Sequence, residues 1–245
     1  MKALVTGTHG TVGLVLADRL RDAGHHVLPW DRQQVSPEDP QAIQSFISRE
    51  TPDAFFHLAT GSLDWAETAA RSCASLGIPF LYTSSVSVFS GTQRGPFTVA
   101  TQPRPDDDYG AYKLEGEHRV RAAHPGAIVA RLGWQIGETP HGNHMVAHLH
   151  RTAQTEGRIP ASQNWFQACS FLSDTADSLI HLIESHPAGL YHIDGNPGLP
   201  FYDIVHGLNR MLGQSWIIEP SDHPLCNNLL LEDRLSTRHI TAKFP

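Results

Sequence analysis

Apolar residues along the chain follow two rhythms that alternate. Short continuous runs at 2–6 (KALVT), 25–30 (HHVLPW), 53–59 (DAFFHLA), 79–85 (PFLYTSS) and 127–134 (AIVARLGW) carry the β-branched and aromatic residues of buried strands. Between them, 11–24, 40–50, 64–77 and a stretch from about Tyr109 place apolar residues three and four positions apart, as helices do. Strands alternating with helices of this length predict βαβ units, hence an α/β fold with a doubly wound parallel sheet. After Trp134 the pattern loosens. Helices are predicted near 143–156, about 173–185 and about 201–213, with a late strand over 189–194 and a loop-rich tail. The expected division is a core over 1–134 and mainly a small C-terminal lobe over 135–245, the late strand returning to the core sheet.

The 245 residues, 40% of them hydrophobic, suffice for one large domain or a domain with a small lobe. A net charge of -7 leaves no basic footprint, so nucleic acid is not an expected partner. Cys73, Cys169 and Cys226 are far apart and odd in number, offering neither a disulfide framework nor a zinc pattern. They read as reduced thiols of a cytoplasmic protein. The first strand begins at residue 2, leaving no room for a signal peptide, and no apolar run approaches a membrane span.

Chemistry enters with "VTGTHGTVG". Gly7, Gly10 and Gly13, with His9, Thr11 and Val12 between them, join the first strand to the first helix. Glycines there let the backbone approach a pyrophosphate, which the helix N-terminus then attracts with unpaired N–H groups. At the end of the second strand Asp31 and Arg32 point to different dinucleotides: an acid suits the ribose diol of NAD(H), a guanidinium the 2′-phosphate of NADP(H). No other task for Arg32 is visible in this loop, which favours NADP(H). Asp31 also reads as a plain turn residue.

The stretch "DDDYGAYKLEGE" sets two tyrosines beside one lysine. Tyr109 and Lys113, four apart, share a helix face; Tyr112 and Lys113 point roughly 100° apart. An ammonium near a phenol favours the phenolate and makes it a usable acid or base. The acids at 106–108 read as helix N-terminal charge, with Asp108 a candidate cap. Ser84 and Ser85 end the strand 79–85, at the sheet edge where such folds bind ligands. His144 and His148 have a metal-compatible spacing but no acid nearby, so they read as solvent-facing and no metal is expected.

The G-x-x-G-x-x-G loop, the Y-x-x-x-K pair and the preceding serine resemble the extended short-chain dehydrogenase/reductase superfamily. "YGAYKLEGE", "ARLGWQIG", "GLYHIDGNPGLPFYDIVHGLNRMLG" and "EDRLSTRHI" are similar to segments of the dTDP-4-dehydrorhamnose reductase family, "ARLGWQIG" matching its R-T-S-W-V-Y-G. The resemblance implies a Rossmann-type core whose cofactor lies along Leu58, Ala59 and Thr60. It implies that Lys113 binds the nicotinamide ribose and lowers the phenol pKa. Tyr109 is then the proton donor and Ser85 orients the substrate oxygen, with Ser84 as the fallback. Val86 adjoins the substrate, Trp134 stacks a deoxysugar, and Arg234 reaches the nucleotide or sugar.

Two departures stand out. The family's D-Q-x-G-x-P-T segment is poorly kept in 161–174, where Trp165 and Phe166 read as lobe core or pocket wall. The connection 60–78 is also shorter than the family's, which leaves monomer and homodimer both open. The expected activity is NAD(P)H-dependent reduction of a keto group on a nucleotide-linked deoxysugar or similar substrate. An epimerase using the same three residues is one alternative. A non-catalytic cofactor-binding subunit, similar to the β subunit of methionine adenosyltransferase, is another. A dehydratase is disfavoured, since Val86 and Ser87 stand where its acids would be.

Overall fold

A computed structural model of the chain describes residues 1–245. Four βα units and a fifth strand open it: β1 Lys2–Thr6, α1 Thr11–Asp22, β2 His26–Pro29, α2 Pro40–Glu50, β3 Ala54–His57, α3 Leu63–Leu76, β4 Phe80–Ser85, α4 Asp108–Ala123 and β5 Ile128–Leu132. β3 and β5 are buried at every position, as strands covered on both faces must be. Helix starts follow local chemistry. Asp39 caps α2 ahead of Pro40, and Ser62 caps α3, which Gly77 closes in the left-handed region.

The second half builds the lobe from β6 Trp134–Ile136, α5 Met145–Glu156, β7 Ile159–Ser162, β8 Trp165–Phe166, β9 Cys169–Phe171, α7 Phe201–Met211, β11 Ile218–Ser221 and β12 Cys226–Asn227. α6 Leu172–Ser185 and β10 Gly189–Ile193 leave it again. β10 pairs with β5, completing a six-stranded parallel sheet in the order β10-β5-β4-β3-β1-β2. α6 packs beside α1 on one face through Leu16, Leu20, Leu179 and Leu182, while α2 and α3 cover the other through Phe46, Trp65 and Ala69. Strand order reverses between β1 and β3, so the crevice for a ligand opens at the carboxyl ends there.

Three expectations change. The run 127–134 is not one strand: it breaks at Gly133, where a side chain would strike the Ala168 backbone, and β6 pairs with β9 instead of continuing the sheet. The tail read as loop contains β11 and β12, which pair with β7 and β8. His144 does not face solvent. It is buried as the N-cap of α5, its Nδ1 accepting the Ala147 N–H, whereas His148 is exposed.

Candidate active site

β1 hands the chain to the glycine loop at Thr6, whose Oγ1 accepts the N–H groups of Leu58 and Ala59 at 3.0 and 3.1 Å, locking the exits of β1 and β3 together. Gly7 turns with φ +74°, and a Cβ there would lie 3.1 Å from the Ala59 nitrogen. Gly13 lets α1 pass against the Gly7 carbonyl. Gly10 caps α1 without any side-chain bond, so the first-turn N–H groups face an open cleft. That cleft, about 210 Å³, is lined by Gly7, Gly10, Thr11, Val12 and Gly13 on one side and by Leu58, Thr60, Ser85, Tyr109 and Lys113 on the other. An uncapped helix start beside bare glycine backbone fits a dinucleotide's pyrophosphate. Ala59 is buried beneath the cleft, and His9 lines a separate cavity of about 460 Å³ on the outer side of the loop.

At the end of β2 both readings of the specificity pair shift. Asp31 accepts the Gln33 N–H at 2.8 Å and the Gln34 amide at 2.9 Å, holding its own turn. Arg32 has a task that its loop alone does not show: it donates to the Thr60 carbonyl at 2.6 Å and lies 5.0 Å over the Trp65 ring. The absence of other work for this arginine therefore no longer argues for NADP(H).

Side chains alternate across a strand, so Ser84 and Ser85 at the end of β4 part company. Ser84 is buried and donates to Glu117 at 2.5 Å, and Glu117 takes the Nε and Nη2 of buried Arg131 at 2.8 and 2.7 Å. Ser85 faces both clefts, its Oγ 3.1 Å from the Ser87 Oγ and accepting the Ser87 N–H.

Tyr109 opens α4. The cap is Asp107, not Asp108: it accepts the Gly110 N–H at 2.6 Å, while Asp106 holds the Gly91 N–H. Lys113 is 3% exposed and donates to the Thr83 carbonyl at 2.9 Å. Its ammonium lies 5.9 Å from the Tyr109 ring and 5.7 Å from that of Tyr112, so helix-face direction alone does not separate the two. Engagement does. The Tyr112 hydroxyl accepts the Gly61 N–H, whereas Tyr109, 48% exposed, lines both clefts beside Ser85. Burial lowers Lys113 to about 8, the Glu117 charge opposing it. Burial also raises the Tyr109 phenol above its ordinary value, the Ser85 hydroxyl opposing it. The one opposing influence on the phenol comes from Ser85; the lowering expected from Lys113 is not seen, its ammonium being directed to the Thr83 carbonyl.

A wider cleft of about 550 Å³ adjoins the first and is lined by Ser85, Val86, Tyr109 and Trp134. Trp134 stacks near-parallel on Phe201 at 6.1 Å, and Trp165 packs at the same distance. Four amide side chains that sequence reasoning passed over join this lining: Gln135, Asn143, Gln167 and Asn228. Gln167 and Asn228 bond each other across 61 positions, a pairing no local pattern announces. No lysine, arginine or histidine lines this cleft. Arg234 is placed elsewhere. It pairs with Glu232, donates to the Leu190 carbonyl at 2.6 Å and lies 4.2 Å over the Tyr191 ring, at the opening end of β10 and remote from the carboxyl ends of the strands. No group of three His, Cys, Asp or Glu side chains is arranged to hold a metal ion, and no helix is long and apolar enough to cross a membrane.

Comparison with known proteins bears on the fold and the family. A dTDP-4-dehydrorhamnose reductase of Mycolicibacterium smegmatis is 28% identical over 75% of the chain, which spans 60% of that relative. The methionine adenosyltransferase 2 subunit beta of Xenopus tropicalis is 25% identical over 83% of the chain and 70% of its own length. The crystal structure of a dTDP-4-dehydrorhamnose reductase from Clostridium acetobutylicum superimposes with a TM-score of 0.84 at 21% identity, covering 99% of this chain and 96% of that one. The family described as the RmlD substrate binding domain matches residues 1–69 and 62–206. With most of its length so matched, the chain belongs to the RmlD substrate binding domain family, within the NAD(P)-dependent oxidoreductases of the extended short-chain dehydrogenase/reductase type.

Proposed function

We propose that this protein reduces a keto group on a nucleotide-linked sugar, or a closely similar substrate, with Tyr109 as the proton donor. One observation carries the reading: Ser85 and Tyr109 stand in the wall shared by the glycine-loop cleft and the wider one, with Lys113 behind them. A nicotinamide dinucleotide, NADP(H) or NAD(H), supplies the hydride when bound. Gly7, Gly10 and Gly13 admit its pyrophosphate, Leu58 and Thr60 line its path, and Lys113 is placed to take the ribose hydroxyls. Ser85 orients the substrate oxygen, and Tyr109 passes its phenolic proton to that oxygen as charge develops there. Trp134, backed by Phe201 and Trp165, offers a face to the sugar ring, with Val86 beside it.

The test is calorimetry with NADH and NADPH, followed by a panel of dTDP- and other nucleotide-linked keto sugars monitored by cofactor absorbance. Turnover of a panel member with either cofactor is expected. No heat for either dinucleotide at millimolar concentration sinks the reading. The preference for NADP(H) now rests on the Arg32 charge alone: if the guanidinium also meets a 2′-phosphate, Arg32→Ala weakens NADPH more than NADH by roughly 1.5–3 kcal/mol. Equal losses would leave Arg32 as the strut between Thr60 and Trp65 that its bonds describe.

The single helix α3 between β3 and β4 keeps a second reading in play, a cofactor-binding subunit without turnover. Tight dinucleotide binding with no activity across the panel would favour it.

A further inference from the structure

Only five residues line both clefts: Thr11, Ser85, Tyr109, Gly133 and Gln135. Two of them, Ser85 and Tyr109, have been assigned to chemistry. Gln135 has no assignment, and it departs from the segment that "ARLGWQIG" resembles, where an apolar valine holds its place. We propose that the side-chain carbonyl of Gln135 accepts a hydrogen bond from the carboxamide N–H of the nicotinamide ring and so decides which ring face meets the substrate. This rests on the dinucleotide reading above.

The orientation of the amide is dictated by its surroundings. Gln135 is 8% exposed, and its Nε2 donates to the Gly133 carbonyl at 3.0 Å. A carbonyl can only accept, so the amide nitrogen must face Gly133 and Oε1 is left on the other side. Oε1 is buried and has no partner. A buried acceptor without a donor is costly, and native proteins seldom tolerate one unless a ligand or water completes it.

Its location selects the donor. β6 follows directly from β5, whose last residue Leu132 is in register with Ser85, so Gln135 stands just beyond the catalytic serine. The reacting carbon of a substrate held by Ser85 and Tyr109 must come within about 3–3.5 Å of the hydride donor. The nicotinamide end of the dinucleotide therefore lies here, between Lys113 and the wide cleft. Oε1 is enclosed, as befits the group that enters deepest, while substrate hydroxyls arrive from the open side. The hydroxyls of the nicotinamide ribose belong beside Lys113, and the adenine amine and its ribose lie at the far end of the dinucleotide. The carboxamide is the one donor on the ring itself.

The experiment compares wild type with Gln135→Met, which keeps length and loses the acceptor, and uses Gln135→Ala should methionine perturb the fold. Calorimetry measures three ligands: the oxidised dinucleotide that the chain binds, its 3-acetylpyridine analogue, whose acetyl group has no N–H, and the matching ADP-ribose, which lacks the ring. Wild type should bind the dinucleotide about 10-fold more tightly than the acetylpyridine analogue, the worth of one ordinary hydrogen bond. Gln135→Met should bind the two alike, with ADP-ribose affinity the same in both proteins. A gap that survives in Gln135→Met overturns the proposal. So does an equal loss on all three ligands, which would mark a structural role. Unchanged cofactor binding with a raised KM for a keto sugar also overturns it, in favour of a substrate hydroxyl. Binding of neither the dinucleotide nor ADP-ribose by wild type would overturn the dinucleotide reading and this assignment with it.

Discussion

Ser84 and Ser85 are chemically identical neighbours with different employment. Ser84 serves the buried Glu117–Arg131 pair; Ser85 faces the clefts. Ser84→Ala removes a hydrogen bond to a buried charge and should destabilise the fold by roughly 1.5–3 kcal/mol while leaving turnover largely intact. Ser85→Ala should do the reverse, with thermal melts and kcat measured on both. The tyrosines divide in the same way. Tyr109→Phe should lower kcat by roughly 100- to 10,000-fold with little change in melting temperature or cofactor affinity. Tyr112→Phe loses only its bond to Gly61 and should cost about 1 kcal/mol of stability without abolishing chemistry. If Tyr112→Phe kills turnover and Tyr109→Phe does not, the proton donor is misassigned. Sequence pattern and the family resemblance already favoured Tyr109 and Ser85, without showing what occupies their neighbours. What separates Ser84 from Ser85 is a carboxylate 33 positions away, invisible to local pattern.

At the level of elements, what could be read was whatever repeats long enough to have a period. β1 and α2 begin and end where their patterns do, at Lys2–Thr6 and Pro40–Glu50. β8 and β12 have two residues each and β6 three, too short for any alternation to show, and all are held by partners distant in sequence. Gly133 looked like a strand interior because the Ala168 backbone that forbids a side chain there is 35 positions on. The glycine loop was legible because its geometry is local, and its three glycines should fail differently. Gly13→Ala places a methyl against the Gly7 carbonyl, so loop and α1 must shift and thermal stability should fall. A Cβ at Gly10 meets only the Gly7 oxygen at 3.2 Å, with the rest of its space open to the cleft. Gly10→Val should therefore fold yet lose dinucleotide binding by calorimetry. A Gly10→Val protein that binds NADH and NADPH as tightly as wild type would place the pyrophosphate elsewhere.

Over the whole molecule, the active site is assembled where the sheet, α4 and the lobe meet, and burial there has a thermodynamic cost that function explains. The contacts that engage Arg32 and Arg234 could not be read from sequence, because their partners, Trp65 and Tyr191, are brought to them only by the tertiary fold. Lys113 was legible as a residue, but not its state: sealed under the sheet edge, its pKa falls from 10.5 to about 8. Below pH 8 the lysine is charged in both folded and unfolded chains, and the folded chain bears the full desolvation cost, roughly 3 kcal/mol. Between pH 8 and 10.5 the folded chain releases the proton first. The unfolded chain then binds more protons, so stability should rise with pH across that window. Lys113→Met removes the charge. At pH 7 it should melt higher than wild type, by up to that amount less the lost bond to Thr83, while dinucleotide affinity and kcat both fall. The stability gap should close as pH approaches 10.5, and denaturant titrations from pH 6 to 10.5 read it directly. A methionine variant no more stable than wild type at pH 7, or a gap indifferent to pH, would mean that the ammonium is better solvated than its burial implies.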